Sequence, residues 1–101
     1  MQGDDEIKAA FERSANALSL RPPLGQGTAK TITRLKPGLE CEVTEGPWTL
    51  TVGMSPKSGG TNAGPNPGIL GRGALGACLA MGYGRWAAHF GVPLTSLEVE
   101  I

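Results

Sequence analysis

Residues 64–91 read GPNPGILGRGALGACLAMGYGRWAAHFG. After the Pro/Gly-rich opening come roughly two dozen residues with almost no polar side chains. Ile69, Leu70, Ala74, Leu75, Ala77, Leu79, Ala80, Met81, Trp86, Ala87 and Phe90 spread around a helical wheel. A helix that is apolar on most sides is surrounded by protein or lipid. Arg72 and Arg85 interrupt the run, and its apolar stretches are too short to span a bilayer. The stretch therefore predicts a long, buried central helix over 67–90 with a thiol, Cys78, near its middle. Gly91 suits the position just past the helix end, and Pro93 forbids continuation. Five interior glycines (Gly71, Gly73, Gly76, Gly82 and Gly84) each cost about 0.8–1 kcal/mol relative to alanine. Tertiary packing must hold such a helix together, most simply by letting another backbone approach closely.

Working outward, residues 54–66 form a long loop, a length that is often functional in small domains. Before it lies a three-strand pattern within 28–53. Thr31, Ile32 and Thr33 are β-branched, and Pro37-Gly38 makes a turn. Leu39, Cys41 and Val43 alternate with Glu40, Glu42 and Thr44. Glu45-Gly46-Pro47 turns the chain again, and Trp48, Leu50 and Val52 alternate with Thr49 and Thr51. An antiparallel β-meander with one apolar face follows. Upstream, Ile7, Phe11, Ala15 and Leu18 recur at helical spacing, predicting an amphipathic helix over 4–20. Asp4 or Asp5 would cap it, Lys8 and Glu12 would pair on its wet side, and Arg21-Pro22 would end it. Downstream, Leu97, Val99 and Ile101 alternate with Glu98 and Glu100, predicting a final strand over 96–101. The chain stops inside that strand, which suggests a domain that is incomplete or that borrows structure from a partner. The fold class is α+β, in a single domain of 101 residues.

Nine basic and nine acidic residues give zero formal charge, and no basic run offers a nucleic-acid footprint. The acidic start MQGDDEIK lacks the features of a signal peptide, so the default location is cytoplasmic. Two cysteines are too few for a disulfide scaffold, and no Cys/His cluster suggests a metal site. No cofactor is implied.

Gly71 to Gly76 matches GxGxxG, with Glu98 following 22 residues after Gly76. A dinucleotide site needs a buried strand running into the first glycine. Pro65 and Pro67 are incompatible with that strand, so the match is an accident of a glycine-rich helix. Cys78 is open to two readings, a small core residue or a reactive thiol. A reactive thiol needs a helix N-terminus or a cation to favour its thiolate. Its neighbours at three and four residues are Ala74, Leu75, Met81 and Gly82, none charged, and His89 lies about 16 Å along the helix. An activating group must come from another element or another subunit. Cys41 reads as a core strand residue or as a thiol able to resolve an oxidised Cys78. His89 reads as a helix-end residue, where a cation is mildly favoured, and Trp48 and Trp86 read as packing residues.

Gly64-Pro65-Asn66-Pro67, Ala74-Leu75-Gly76-Ala77-Cys78-Leu79-Ala80 and Gly91-Val92-Pro93-Leu94 leading into Leu97-Glu98-Val99-Glu100 resemble the OsmC/Ohr superfamily, in its osmotically inducible protein C-like members. The likeness covers about residues 35–101, as a short member. It implies a β-meander followed by a central helix carrying the reactive cysteine, and an intertwined homodimer. It also implies thiol-dependent reduction of organic hydroperoxides by a thiol reductant, with no membrane or nucleic-acid partner. Cys78 would be the peroxidatic residue and Cys41 a possible resolving thiol. Arg34 or Arg72 would be the activating cation, with Lys57 the loop's alternative. Where family enzymes carry a glutamate nine residues before the reactive cysteine, this chain has Ile69. It also stops before the family's later strands and second helix. The competing reading is a non-catalytic domain of this fold that binds a small apolar ligand or a protein partner. A third is a structural fragment.

Overall fold

The computed structural model describes all residues, Met1–Ile101. The architecture is α+β: two helices and one three-stranded antiparallel sheet. In chain order these are α1 (Asp4–Leu20), β1 (Ile32–Lys36), β2 (Glu40–Glu45), β3 (Trp48–Val52) and α2 (Pro67–Phe90), with 3₁₀ turns at Pro22–Gly25 and Pro56–Ser58. The chain divides into two compact units. A helical unit contains Met1–Thr28 and Leu75–Ile101, and a sheet unit contains Ala29–Ala74, so the boundary falls within α2.

In the sheet unit the order is β1-β2-β3. Ladder pairs Leu35↔Cys41↔Val52 and Thr33↔Val43↔Leu50 set one face, while Arg34↔Glu42↔Thr51 sets the other. The first face is apolar and the second charged or hydroxylated, the period-two separation that alternation dictates. The β2–β3 connection is the two-residue pair Gly46-Pro47, with Gly46 at φ +55°. Glycine at the first central position gives the twist that a tight hairpin needs. Val52 is buried, but Leu35 (70% exposed) and Trp48 (72%) leave much of the apolar face in solvent.

Residues 53–65 are not a free loop. The Gly53 N–H donates to the Pro65 carbonyl at 2.9 Å, and the Asn62 N–H to the Met54 carbonyl at 2.9 Å. Gly64 sits so close to the Thr51 carbonyl that a Cβ would overlap it. The segment is folded back along β3 and delivers Asn66 to the start of α2. There the Asn66 Oδ1 accepts the Ile69 N–H at 2.9 Å, an N-cap bond that satisfies one orphan donor. Pro67 occupies the first helical position, where its missing N–H costs nothing.

In the helical unit, α2 ends in a Schellman arrangement. Gly91 adopts φ +69°, and the Val92 N–H reaches the Ala87 carbonyl at 2.8 Å. Phe11 of α1 seats on α2 with ring centroids 4.9 Å from Trp86 and 4.3 Å from His89. The last residues return along the helix, with Leu94 and Leu97 beside Ala80 and Gly84, and Ile101 in contact range of Gly76.

Four expectations need correction. Residues 96–101 form no strand, because alternation supplies a face but not an edge to pair with. The central helix is not buried. Ala88 alone among its residues is, and Leu75, Met81, Tyr83, Trp86 and Phe90 are each more than half exposed. Its all-round apolarity marks surface to be covered, which the chain alone does not cover. Gly3 precedes α1 in a left-handed conformation without any side-chain cap, while Asp4 is helical and binds the terminal ammonium at 3.0 Å. Lys8 and Glu12 make no ion pair, the ion pairs being Met1–Asp4 and Lys36–Glu42. An exposed i,i+4 pair is too weak to hold two long side chains in place.

No helix is long and apolar enough to cross a membrane.

Candidate functional site

Cys78 lies in the part of α2 that belongs to the helical unit, between its Asn66 cap and the Gly91 terminus. Because α2 is a regular helix there, Leu75 and Met81, three residues to either side, share its surface. Both are more than half exposed, and so is the thiol's setting: Cys78 is exposed, unbonded and without a hydrogen-bond partner. The result is an accessible sulfur framed by apolar side chains.

Cys41 sits on the apolar face of the sheet, half-buried between Leu35 and Val52 in the ladder, and is also a free thiol. Arg34 projects from the opposite face of the sheet, with Glu42 directly across on β2. Glu42 is taken by Lys36, whose Nζ lies 3.1 Å from its Oε2. Arg34 makes no ion pair and is exposed. Arg72 folds back over the first turn of α2, where its Nη1 would meet a Cβ on Gly68 at 3.1 Å. That position uses its reach toward the helix start. Lys57 is exposed in the second 3₁₀ turn. Ile69 is half-exposed on the first turn of α2 and offers no carboxylate to hold a cation. Arg34 and Lys57 thus make no ion pair, while Arg72 is turned toward the start of its own helix.

Two features were not evident from spacing. His89 is enclosed by aromatic rings, stacked on Phe11 and edge-on to Phe90 at 4.9 Å, and its Nδ1 is buried without a hydrogen-bond partner. The sequence placed His89 near the helix end, and the structure adds that α1 delivers Phe11 onto its ring. The second is Arg85, whose guanidinium lies 5.4 Å from the centre of the Phe11 ring, a cation–π distance. In the sequence it looked like an interruption of an apolar run. The available signal was an arginine within a turn of an aromatic residue, which does not say which other helix it faces. No three His, Cys, Asp or Glu side chains come together as a metal-binding group.

No family model matches the chain, and neither a curated protein nor a solved structure matches it.

Proposed function

We propose that this chain forms a homodimer that reduces organic hydroperoxides through Cys78, in the manner of the OsmC-like proteins its central motif resembles. The observation that carries the reading is the exposed, unpartnered Cys78 thiol framed by Leu75 and Met81. The Sγ thiolate attacks the terminal oxygen of ROOH and the O–O bond breaks. The alkoxide takes a proton from solvent and leaves as ROH, and Cys78 becomes a sulfenic acid. A thiol then attacks the sulfenic sulfur, forming a disulfide and releasing water, and a second thiol equivalent restores Cys78. Cys41 is the in-chain candidate for the first of these thiols, and an external thiol serves otherwise. Arg34 of a second copy is the favoured cation to stabilise the thiolate, with Arg72 the alternative.

The dimer reading is supported by uncovered apolar side chains: Leu35 and Trp48 on the sheet, and Leu75, Met81, Trp86 and Phe90 on α2, are each more than half exposed.

The test is to titrate the reduced protein with cumene hydroperoxide, count thiols, and locate the sulfenic acid with a dimedone probe. The expected result is loss of Cys78 in preference to Cys41, abolished by Cys78→Ser. Consumption no faster than that of a simple aliphatic thiol would remove the enzymatic reading. Sedimentation at several concentrations tests the dimer separately, and a monomer throughout would remove that part.

A further inference from the structure

A groove of about 410 Å³ runs within the helical unit, between α1, α2 and the returning C-terminal segment. Ile7 forms one edge, Ala80 and Gly84 the floor, and Leu94 and Leu97 the opposite wall. Its size falls in the range of small-molecule sites, which are apolar with a few placed polar groups. Two residues that carry a positive charge, Met1 and Arg85, are among those that line it. The Met1 ammonium is held by the Asp4 Oδ2 at 3.0 Å. Arg85 has no carboxylate partner, and its guanidinium rests only against the Phe11 ring.

An apolar trough with one uncompensated guanidinium is complementary to an amphiphile with an aliphatic tail and an anionic head. Arginine favours a planar carboxylate, which it can bind with two parallel N–H donors. We infer that this groove binds a linear aliphatic carboxylate of about eight to twelve carbons, taking a methylene to fill about as much space as a water, with its head on Arg85. Cys78 does not line the groove, so this inference stands apart from the peroxide chemistry.

Gly84 gives a way to fill the groove from its floor. A Cβ added there meets no atom within 4 Å, and leucine is the better helix former. Calorimetric titration of the full-length protein with hexanoate, octanoate and decanoate, below their micelle-forming concentrations, reads the tail. Affinity should rise about fourfold per added methylene until the groove is full. Decanol should bind more weakly than decanoate. Arg85→Gln should weaken decanoate about tenfold or more while leaving decanol unchanged, which also shows that the groove survives the substitution. Gly84→Leu should abolish binding of both without lowering the melting temperature, and Cys78→Ser should leave both intact. The inference is overturned if decanol binds as tightly as decanoate, if chain length has no effect, or if Arg85→Gln binds decanoate like the wild type. It is equally overturned if the wild type takes up no decanoate, the outcome of a second copy covering the groove.

Discussion

Replacing Phe11 by alanine should separate the first helix from the second. The ring meets Trp86 at 4.9 Å and His89 at 4.3 Å, and it carries the Arg85 guanidinium at 5.4 Å. A fully buried Phe→Ala change costs about 3–5 kcal/mol. Phe11 is only half-buried, so about half of that applies, with about 0.5–1.5 kcal/mol more for the lost aromatic pairing. The expected loss is about 2–4 kcal/mol, or roughly 10–30 °C in melting temperature for a domain of this size. Phe11→Leu keeps apolar volume and loses only the ring geometry, so it should cost about 1 kcal/mol. Urea unfolding at fixed protein concentration, followed by the fluorescence of Trp86 in a Trp48→Phe background, reads the contact directly. Fixed concentration matters because assembly would otherwise enter the midpoint. If Phe11→Ala unfolds within 0.5 kcal/mol of the wild type, α1 is not docked on α2 through this ring. The groove that Ile7 borders would then lose one of its walls.

Other substitutions test the connections that position α2. Asn66→Ala removes the N-cap bond to Ile69 and should cost about 1 kcal/mol, whereas Asn66→Asp should keep most of it; paired thermal melts decide. Gly64→Ala forces a Cβ onto the Thr51 carbonyl and should cost about 1–3 kcal/mol. Gly73→Ala, with open space around it in the single chain, provides the contrast. Equal effects of the last two on the unfolding midpoint would refute the folded-back path of residues 53–65.

Both helices were legible because their ends carry local chemistry. Arg21-Pro22 and Gly91-Val92-Pro93 act through neighbouring backbone groups and need no tertiary knowledge, whereas the Asn66 cap came only from the structure. The β-meander was legible for a related reason: the alternation of Leu39, Cys41 and Val43 and short turns join strands adjacent in the chain. Residues 97–101 alternate just as well yet form no strand, since a distant pairing edge leaves no mark on the segment itself. The exposure of α2 was hidden for the same reason. Its composition says that it wants cover on every side, and only coordinates say which sides receive it. Cys78 was identifiable as a thiol without a charged neighbour on its own helix, and the structure leaves it exposed. Arg85 was passed over because its aromatic neighbour comes from α1, 74 positions earlier in the chain.

The ends of α2 are fastened better than its middle. Asn66 and Pro67 secure one end, and the Gly91 turn the other, but Gly71, Gly73, Gly76, Gly82 and Gly84 weaken what lies between. The expected consequence is that the middle opens before the chain as a whole unfolds, so that its backbone amides should exchange with solvent ahead of those at the caps. Cys78 sits in that stretch. Its thiol is therefore carried on a part of the backbone whose order depends on what packs against it, and any partner that covers α2 tightens the sulfur's geometry as it binds.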